Sequence, residues 1–208
     1  KKRSNGRGRA IQLTKLAGYY HSPIFTPDGK GVFSFRASHY DRMMGDKNGS
    51  PFGGGGGADI IRIPAEGGDA SLLSYARGAS TPHYGPEANR LYLYSRGGLI
   101  SINFEGKDLT THLKVVGPPG MGGSQPTPAN DVQISPDGKY AMASIRNQLY
   151  VLNVPRIGGE AQTINVNASS VPIKQISDVG ADYFEWVDDG KTLTWAVGST
   201  FYRQAMET

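Results

Sequence analysis

Apolar residues recur at alternate positions in short runs along most of the chain, and each run is closed by a polar turn. "GVFSFR", "RLYLYSR", "YAMASI" and "TLTWAV" are such runs, and each is followed by a second: "ADIIRIP", "GLISINF", "QLYVLNVP" and "STFYRQ". Alternation over four to eight residues, rich in aromatic and β-branched side chains, predicts half-buried β-strands. Helix signals are almost absent, so the expected class is all-β.

One turn returns at one place in this pattern. "IFTPDGKGVFSF", "YGPEANRLYLYS", "QISPDGKYAMAS" and "FEWVDDGKTLTW" each join two strands. Proline presets φ, aspartate bonds back to nearby amides, and glycine takes the left-handed conformation without steric cost. The residues expected at that left-handed position are Gly29, Asn89, Gly138 and Gly190, spaced by 60, 49 and 52. A basic residue follows each (Lys30, Arg90, Lys139, Lys191), and Phe25, Tyr84, Ile134 and Trp186 lie two places before the turn's Pro or Asp. The polar turns "AEGGD", "EGKD" and "RIGGE" then lead to another short strand in the first three copies. The unit is a four-stranded antiparallel meander of roughly 50 residues, the signature of a propeller blade. A two-sheet sandwich, the rival all-β architecture, would not reuse one turn at one place in each unit.

The expected organisation is a partial β-propeller over residues 12–208, preceded by a basic segment, 1–11, or the end of an earlier blade. Blades fall at about 12–75, 76–116, 130–177 and 178–208, with insertions at 37–57 and 117–129. The fourth unit stops after its third strand. Propellers close with about four to eight blades, and unclosed sheets leave open edges. Another part of the same polypeptide, or a second chain, is therefore expected to complete the propeller. Gly53–Gly57 lies in the first insertion and favours mobility or partner contact over ligand gripping.

The 208 residues include 29 glycines, 13 prolines and no cysteine. A disulfide framework, thiolate zinc sites and a cysteine nucleophile are thereby excluded. The formal charge of +4 is misleading: Lys1, Lys2, Arg3, Arg7 and Arg9 supply five positive charges and leave the body near −1. A basic tail on a near-neutral body is no nucleic-acid footprint. No apolar run approaches the ~20 residues that span a bilayer.

Candidate chemistry is sparse. The Gly-x-Ser-x-Gly elbow of serine hydrolases is absent. His21, His39, His83 and His112 lie too far apart in sequence to form a metal-binding motif, and the glycine clusters lack the Lys-Ser/Thr ending of a phosphate loop. Asn48-Gly49-Ser50 and Asn167-Ala168-Ser169 match the glycosylation pattern weakly. No catalytic residue, metal ligand or cofactor is expected on this chain. The best contact candidates lie where "SYARGASTPHY" crosses between blades: Arg77 as an anion or carboxylate clamp, with His83 and Tyr84 nearby. Tyr20 and His21 hold the equivalent place one blade earlier. The structural alternative is an ion pair for Arg77 and inter-blade packing for the aromatics.

The Ser/Thr-Pro-Asp-Gly-Lys turns closely resemble TolB-like propeller repeats over about residues 12–204. "ADIIRIPAEGGDASLLSYARGASTPHYGP" and "GGLISINFEGKDLTTHLKVVGPPG" further resemble the propeller preceding the catalytic barrel in certain bacterial amidohydrolase-type enzymes. That resemblance implies a non-catalytic scaffold, substrate-access or assembly domain, with a divalent metal such as zinc on a separate catalytic domain. It also implies protein–protein contacts or an oligomer, and a periplasmic or exported location. A TolB-like binding propeller without catalysis and the propeller of a prolyl-oligopeptidase-type serine peptidase remain as alternatives.

Overall fold

The computed structural model describes residues 8–41, 43, 58–155 and 159–206. Most of the 37–57 insertion, including Gly53–Gly57 and Asn48, and the first seven residues of the basic segment lie outside these. The chain divides into two units, one comprising residues 1–82 and 104–107 and the other 83–103 and 108–208.

In the first unit, β1 (Tyr19–Phe25), β2 (Gly31–Ala37), β3 (Ala58–Pro64) and β4 (Ser71–Tyr75) form one antiparallel sheet in chain order. The expected turn joins β1 to β2. Thr26 donates its hydroxyl to Asp28 at 2.5 Å, Asp28 accepts the Lys30 amide at 3.0 Å, and the Gly31 amide donates to the Thr26 hydroxyl at 2.8 Å. Gly29 sits at φ 68°, the left-handed conformation the sequence predicts. Phe33, Phe35 and Ile61 are buried, and Phe33 meets Phe104 at 5.1 Å between ring centroids.

The chain enters the second unit through β5 (Ser80–His83). Next come β6 (Arg90–Ser95), β7 (Gly98–Asn103) and β8 (Thr110–Pro119), an antiparallel ladder, and β9 (Pro126–Pro128), which pairs with β8. The 117–129 insertion is thus partly strand: it holds the end of β8 and all of β9. The third blade is β10 (Asp131–Ile134), β11 (Tyr140–Ile145) and β12 (Gln148–Asn153), but its fourth strand is not the first one to follow. β13 (Gln162–Asn165) leaves this sheet and pairs in parallel with β8, and β14 (Ile173–Gln175) takes the place beside β12. The simple meander expected here gains a crossing strand, which returns Ile164 to the core shared with β8. The last sheet is β15 (Tyr183–Val187), β16 (Thr192–Val197) and β17 (Thr200–Ala205).

Blades in this unit bury apolar faces against one another. Tyr92, Tyr94, Leu99 and Leu113 of the second blade pack with Val132, Ile134, Ala141 and Ala143 of the third. Met142, Leu149 and Val151 on the third blade's opposite face pack with Leu193 and Trp195 of the fourth. The two faces come from alternate residues of one strand, as the pleat requires. A second contact repeats with the blades. A Cβ on Gly138 would lie 2.9 Å from Pro86, and one on Gly190 would lie 3.0 Å from Pro136. Each turn glycine is seated against the proline of the preceding turn, and both glycines have positive φ (70° and 82°).

The third turn reproduces the first. Ser135 donates to Asp137 at 2.7 Å, Asp137 accepts the Lys139 amide at 3.0 Å, and the Tyr140 amide donates to Ser135 at 3.0 Å. The second and fourth turns depart from it. Asn89 does not take the expected left-handed conformation. Pro86 aligns with Pro136, which sets Arg90 opposite Tyr140, and the turn closes through the Arg90 amide on the Glu87 carbonyl at 3.2 Å. In the fourth turn Asp188–Gly190 form a 3-10 turn with Asp188 (φ 52°) and Asp189 (φ 54°) also left-handed, because Val187-Asp188 stands where the first and third turns have Thr-Pro or Ser-Pro.

Candidate functional site

Three of the residues singled out by sequence lie in the first unit. Tyr20 is half-buried on β1 and donates its phenol to the Leu16 carbonyl at 3.0 Å. His21 stacks on Phe35 with centroids 5.0 Å apart and planes 5° apart, and its Nδ1 lies 3.1 Å from the Ser22 hydroxyl. Burial pushes this imidazole below the usual histidine range. Arg77 is exposed in the turn that closes with the Ala79 amide on the Ala76 carbonyl at 2.8 Å. Arg77 (φ 48°) and Gly78 (φ 78°) are both left-handed, as a type I′ turn requires. The turn thus holds the guanidinium outward, and it forms no ion pair among the described residues. His83 and Tyr84 lie in the second unit. His83 Nε2 accepts the Ile134 amide at 3.1 Å, so its ring proton is on Nδ1 and it ties β5 to β10.

The most developed polar constellation lies elsewhere, on the second blade. Arg90 is 6% exposed. Its Nε donates to the Ser101 hydroxyl at 2.7 Å, and Nη1 to Asp108 Oδ2 at 2.5 Å. Nη2 donates to the Ser101 carbonyl at 3.2 Å, to the Thr110 hydroxyl at 3.1 Å, and to the Asp108 carbonyl. A buried guanidinium is tolerated only when it is hydrogen-bonded, and each of its three nitrogens has an acceptor. Glu87 lies 3.9 Å from Arg90 Nε and accepts the Tyr92 phenol at 3.0 Å. Burial, with Glu87 adding to it, drives that phenol far above its ordinary range.

His112 completes the cluster because of a β-bulge. Leu99 pairs with Leu113 and Ile100 with Thr111, which leaves His112 as the extra residue of β8. The same irregularity occurs in the first blade, where Ile60 pairs with Ser74 and Ile61 with Leu72, leaving Leu73 extra. The bulge aims His112 Nε2 at the Ser101 hydroxyl, 2.6 Å away, with its ring 5.0 Å from Tyr92. Burial lowers the pKa of His112, Glu87 opposes that shift and Arg90 reinforces it. Sequence reasoning passed over Arg90, reading it as the basic residue that follows the turn, although the alignment of Pro86 with Pro136 sets it opposite Tyr140. The signal was the loss of Asp-Gly from this one copy.

A cavity of about 190 Å³ opens between the third and fourth blades, lined by Tyr140, Ile173, Lys174, Leu193, Gln204 and Met206 among others. Trp195 stacks on Tyr202 nearby in sequence, with centroids 5.1 Å apart, and its indole Nε1 has no hydrogen-bond partner among the described residues. No group of three or more His, Asp or Glu side chains among the described residues could hold a metal ion. No helix is long and apolar enough to cross a membrane.

No family model and no curated protein sequence matches the chain. Solved structures do. A gluconolactonase from Xanthomonas campestris superposes with a TM-score of 0.58 at 11% identity, over 97% of this chain and 62% of its own. An oligogalacturonate lyase in complex with manganese gives 0.52 at 11% identity, over 88% and 47%. The β-propeller domain of Cps50 (Swd1) from Myceliophteria thermophila gives 0.50 at 7% identity, over 92% and 57%. The chain therefore spans only about half to three-fifths of each of these proteins. At such identities the likeness shows the fold alone: the chain is all-β, with three blades of a β-propeller and the first three strands of a fourth.

Proposed function

We propose that this chain is the non-catalytic propeller portion of a larger amidohydrolase-type, metal-dependent hydrolase, serving as scaffold, substrate-access or assembly domain. The observation that carries this reading is the propeller architecture, whose blades bury apolar faces on one another, taken with the resemblance of residues 58–86 and 97–120. In the first three blades the third strand has an outer neighbour: β4 beside β3, β8 beside β7 and β14 beside β12. No described strand lies beside β17, whose Phe201 is 69% exposed. Contact at that open edge with another part of the same polypeptide or with a second chain belongs to this proposal. The amidohydrolase assignment rests on the sequence resemblance of residues 58–86 and 97–120. The buried chemistry of the described residues is structural in kind, so reactive groups and a divalent metal such as zinc belong to the catalytic domain in this reading. Blades that bury apolar faces on one another make a stiff element suited to shaping an entrance or an interface. A periplasmic or exported location follows from the same resemblance.

The test is the native mass and metal content of the assembly that contains this chain in its source cells. A much heavier hydrolytic species carrying zinc or a similar divalent metal is the expected result. A metal-free species consisting of this chain alone would overturn the proposal and favour a TolB-like binding propeller. A heavier species inactivated by a serine-directed phosphonate would indicate a prolyl-oligopeptidase-type peptidase instead.

A further inference from the structure

Ser101 is fully buried, and its hydroxyl touches two nitrogens: Arg90 Nε at 2.7 Å and His112 Nε2 at 2.6 Å. A serine hydroxyl has one proton to give and two lone pairs to accept with. Arginine does not give up its proton, so the oxygen accepts from Arg90. Its own proton then goes to His112 Nε2, since no other acceptor for it exists among the described residues. That nitrogen must be bare, which makes His112 neutral with its proton on Nδ1.

We propose that Ser101 and His112 form a proton-operated latch on the Arg90 clamp, closed while His112 is neutral and opened when it gains a proton. A protonated His112 would set two cations on one buried oxygen and leave the Ser101 proton without an acceptor. Relief comes from withdrawing His112 or from releasing Arg90. Arg90 in turn holds Asp108 and lies beside Glu87, so opening frees both loops at one end of the blade.

The charged and titratable groups around His112 come from three places. Arg90 and Tyr92 reach it from β6, with His83 behind Tyr92 at 5.9 Å between centroids. Glu87 faces it from the turn, and Asp108 adjoins through Arg90. Glu87 favours the protonated form; Arg90 and burial oppose it. Because the folded form resists protonation, the unfolded chain takes up the proton first as pH falls below about 6.5. Stability is therefore full above that value and falls as pH descends toward the folded pKa, by about tenfold in the folded-to-unfolded ratio per unit of depression.

NMR titration of His112 in the intact chain tests the latch, with the urea-unfolded chain as the reference. His112 should titrate below the ordinary histidine value, because burial disfavours its charged form, and carry its proton on Nδ1 at neutral pH. A midpoint at or above the ordinary histidine value of about 6.5, or a proton on Nε2, would overturn the proposal. Urea unfolding at pH 7.5 and pH 5.0 supplies the second reading. His112→Gln, whose amide oxygen can accept from Ser101, should lose less stability on acidification than the wild type. An equal loss in both would also overturn the latch, and if His112→Gln does not fold, the wild-type titration decides alone.

Discussion

The second and third turns of the repeat do the same work with opposite means. In the third, a short local network closes the hairpin: Ser135, Asp137 and the Lys139 and Tyr140 amides, with Gly138 left-handed and seated on Pro86. Lys139 stays at the surface, with its Nζ 3.3 Å from Asp137 Oδ2. The second turn has neither the aspartate nor the glycine, and Arg90 folds inward to hold Ser101, Asp108 and Thr110 from outside the turn. A turn fixed by local bonds tolerates change in its neighbours. One fixed by a buried cation makes the whole blade depend on one side chain.

Arg90→Ala should accordingly be the most damaging single change. It leaves the buried Ser101 hydroxyl without its donor and opens a void where the guanidinium lay, while Asp108, 67% exposed, turns to water, at a cost of about 3 kcal/mol in urea unfolding. Lys139→Ala, nearest to it in the sequence pattern, should stay within about 0.5 kcal/mol. Equal effects would erase the contrast between the two turns. Gly138→Ala comes next, at about 1–3 kcal/mol, since it combines a left-handed backbone with a Cβ 2.9 Å from Pro86. In the double variant Pro86→Ala/Gly138→Ala, the part due to the clash should be recovered and the backbone part should remain. A strictly additive double variant would remove the inter-blade seat from the account.

Ser135→Ala should cost about 1–2 kcal/mol, because it removes the acceptor of the Tyr140 amide and the donor to Asp137. The smallest effect concerns pH. Burial raises the pKa of Asp137, but the Ser135 hydroxyl and Lys139 together outweigh it and hold the carboxyl below its ordinary value. A depressed folded pKa stabilises the protein above the unfolded value of about 3.9 and loses that contribution as pH falls through the folded pKa. Wild type should therefore lose slightly more stability than Asp137→Asn between pH 5 and pH 3. The reverse order would contradict the hydrogen bonding assigned to this carboxyl.

The repeat was legible because its turns are spelled by residues with few other uses. Thr26, Ser135, the following prolines and aspartates, and Gly29 and Gly138 define geometry directly, and alternation in the flanking strands marks the faces. Asn89 misled for the same reason: a residue that tolerates left-handed backbone need not adopt it when Pro86 shifts the frame by one. β13 escaped notice because a four-residue strand without apolar alternation carries no signal for which sheet it joins. His112 reads as an ordinary strand residue, and only the bulge opposite Leu99 and Ile100 turns it onto Ser101. Long-range partners of this kind depend on register, which local patterns do not encode. Tyr20, His21, Arg77, His83 and Tyr84 were found by position in the repeat, and position gives proximity to a crossing without giving a ligand.

Hydrogen exchange of the isolated chain tests the open fourth blade most directly. The alternate β17 amides that do not bond to β16 should exchange rapidly, while β7 and β12, flanked on both sides, remain protected. Protection along all of β17 equal to that of β7 and β12 would mean the edge is covered, and would contradict the open edge that β17 presents in this fold.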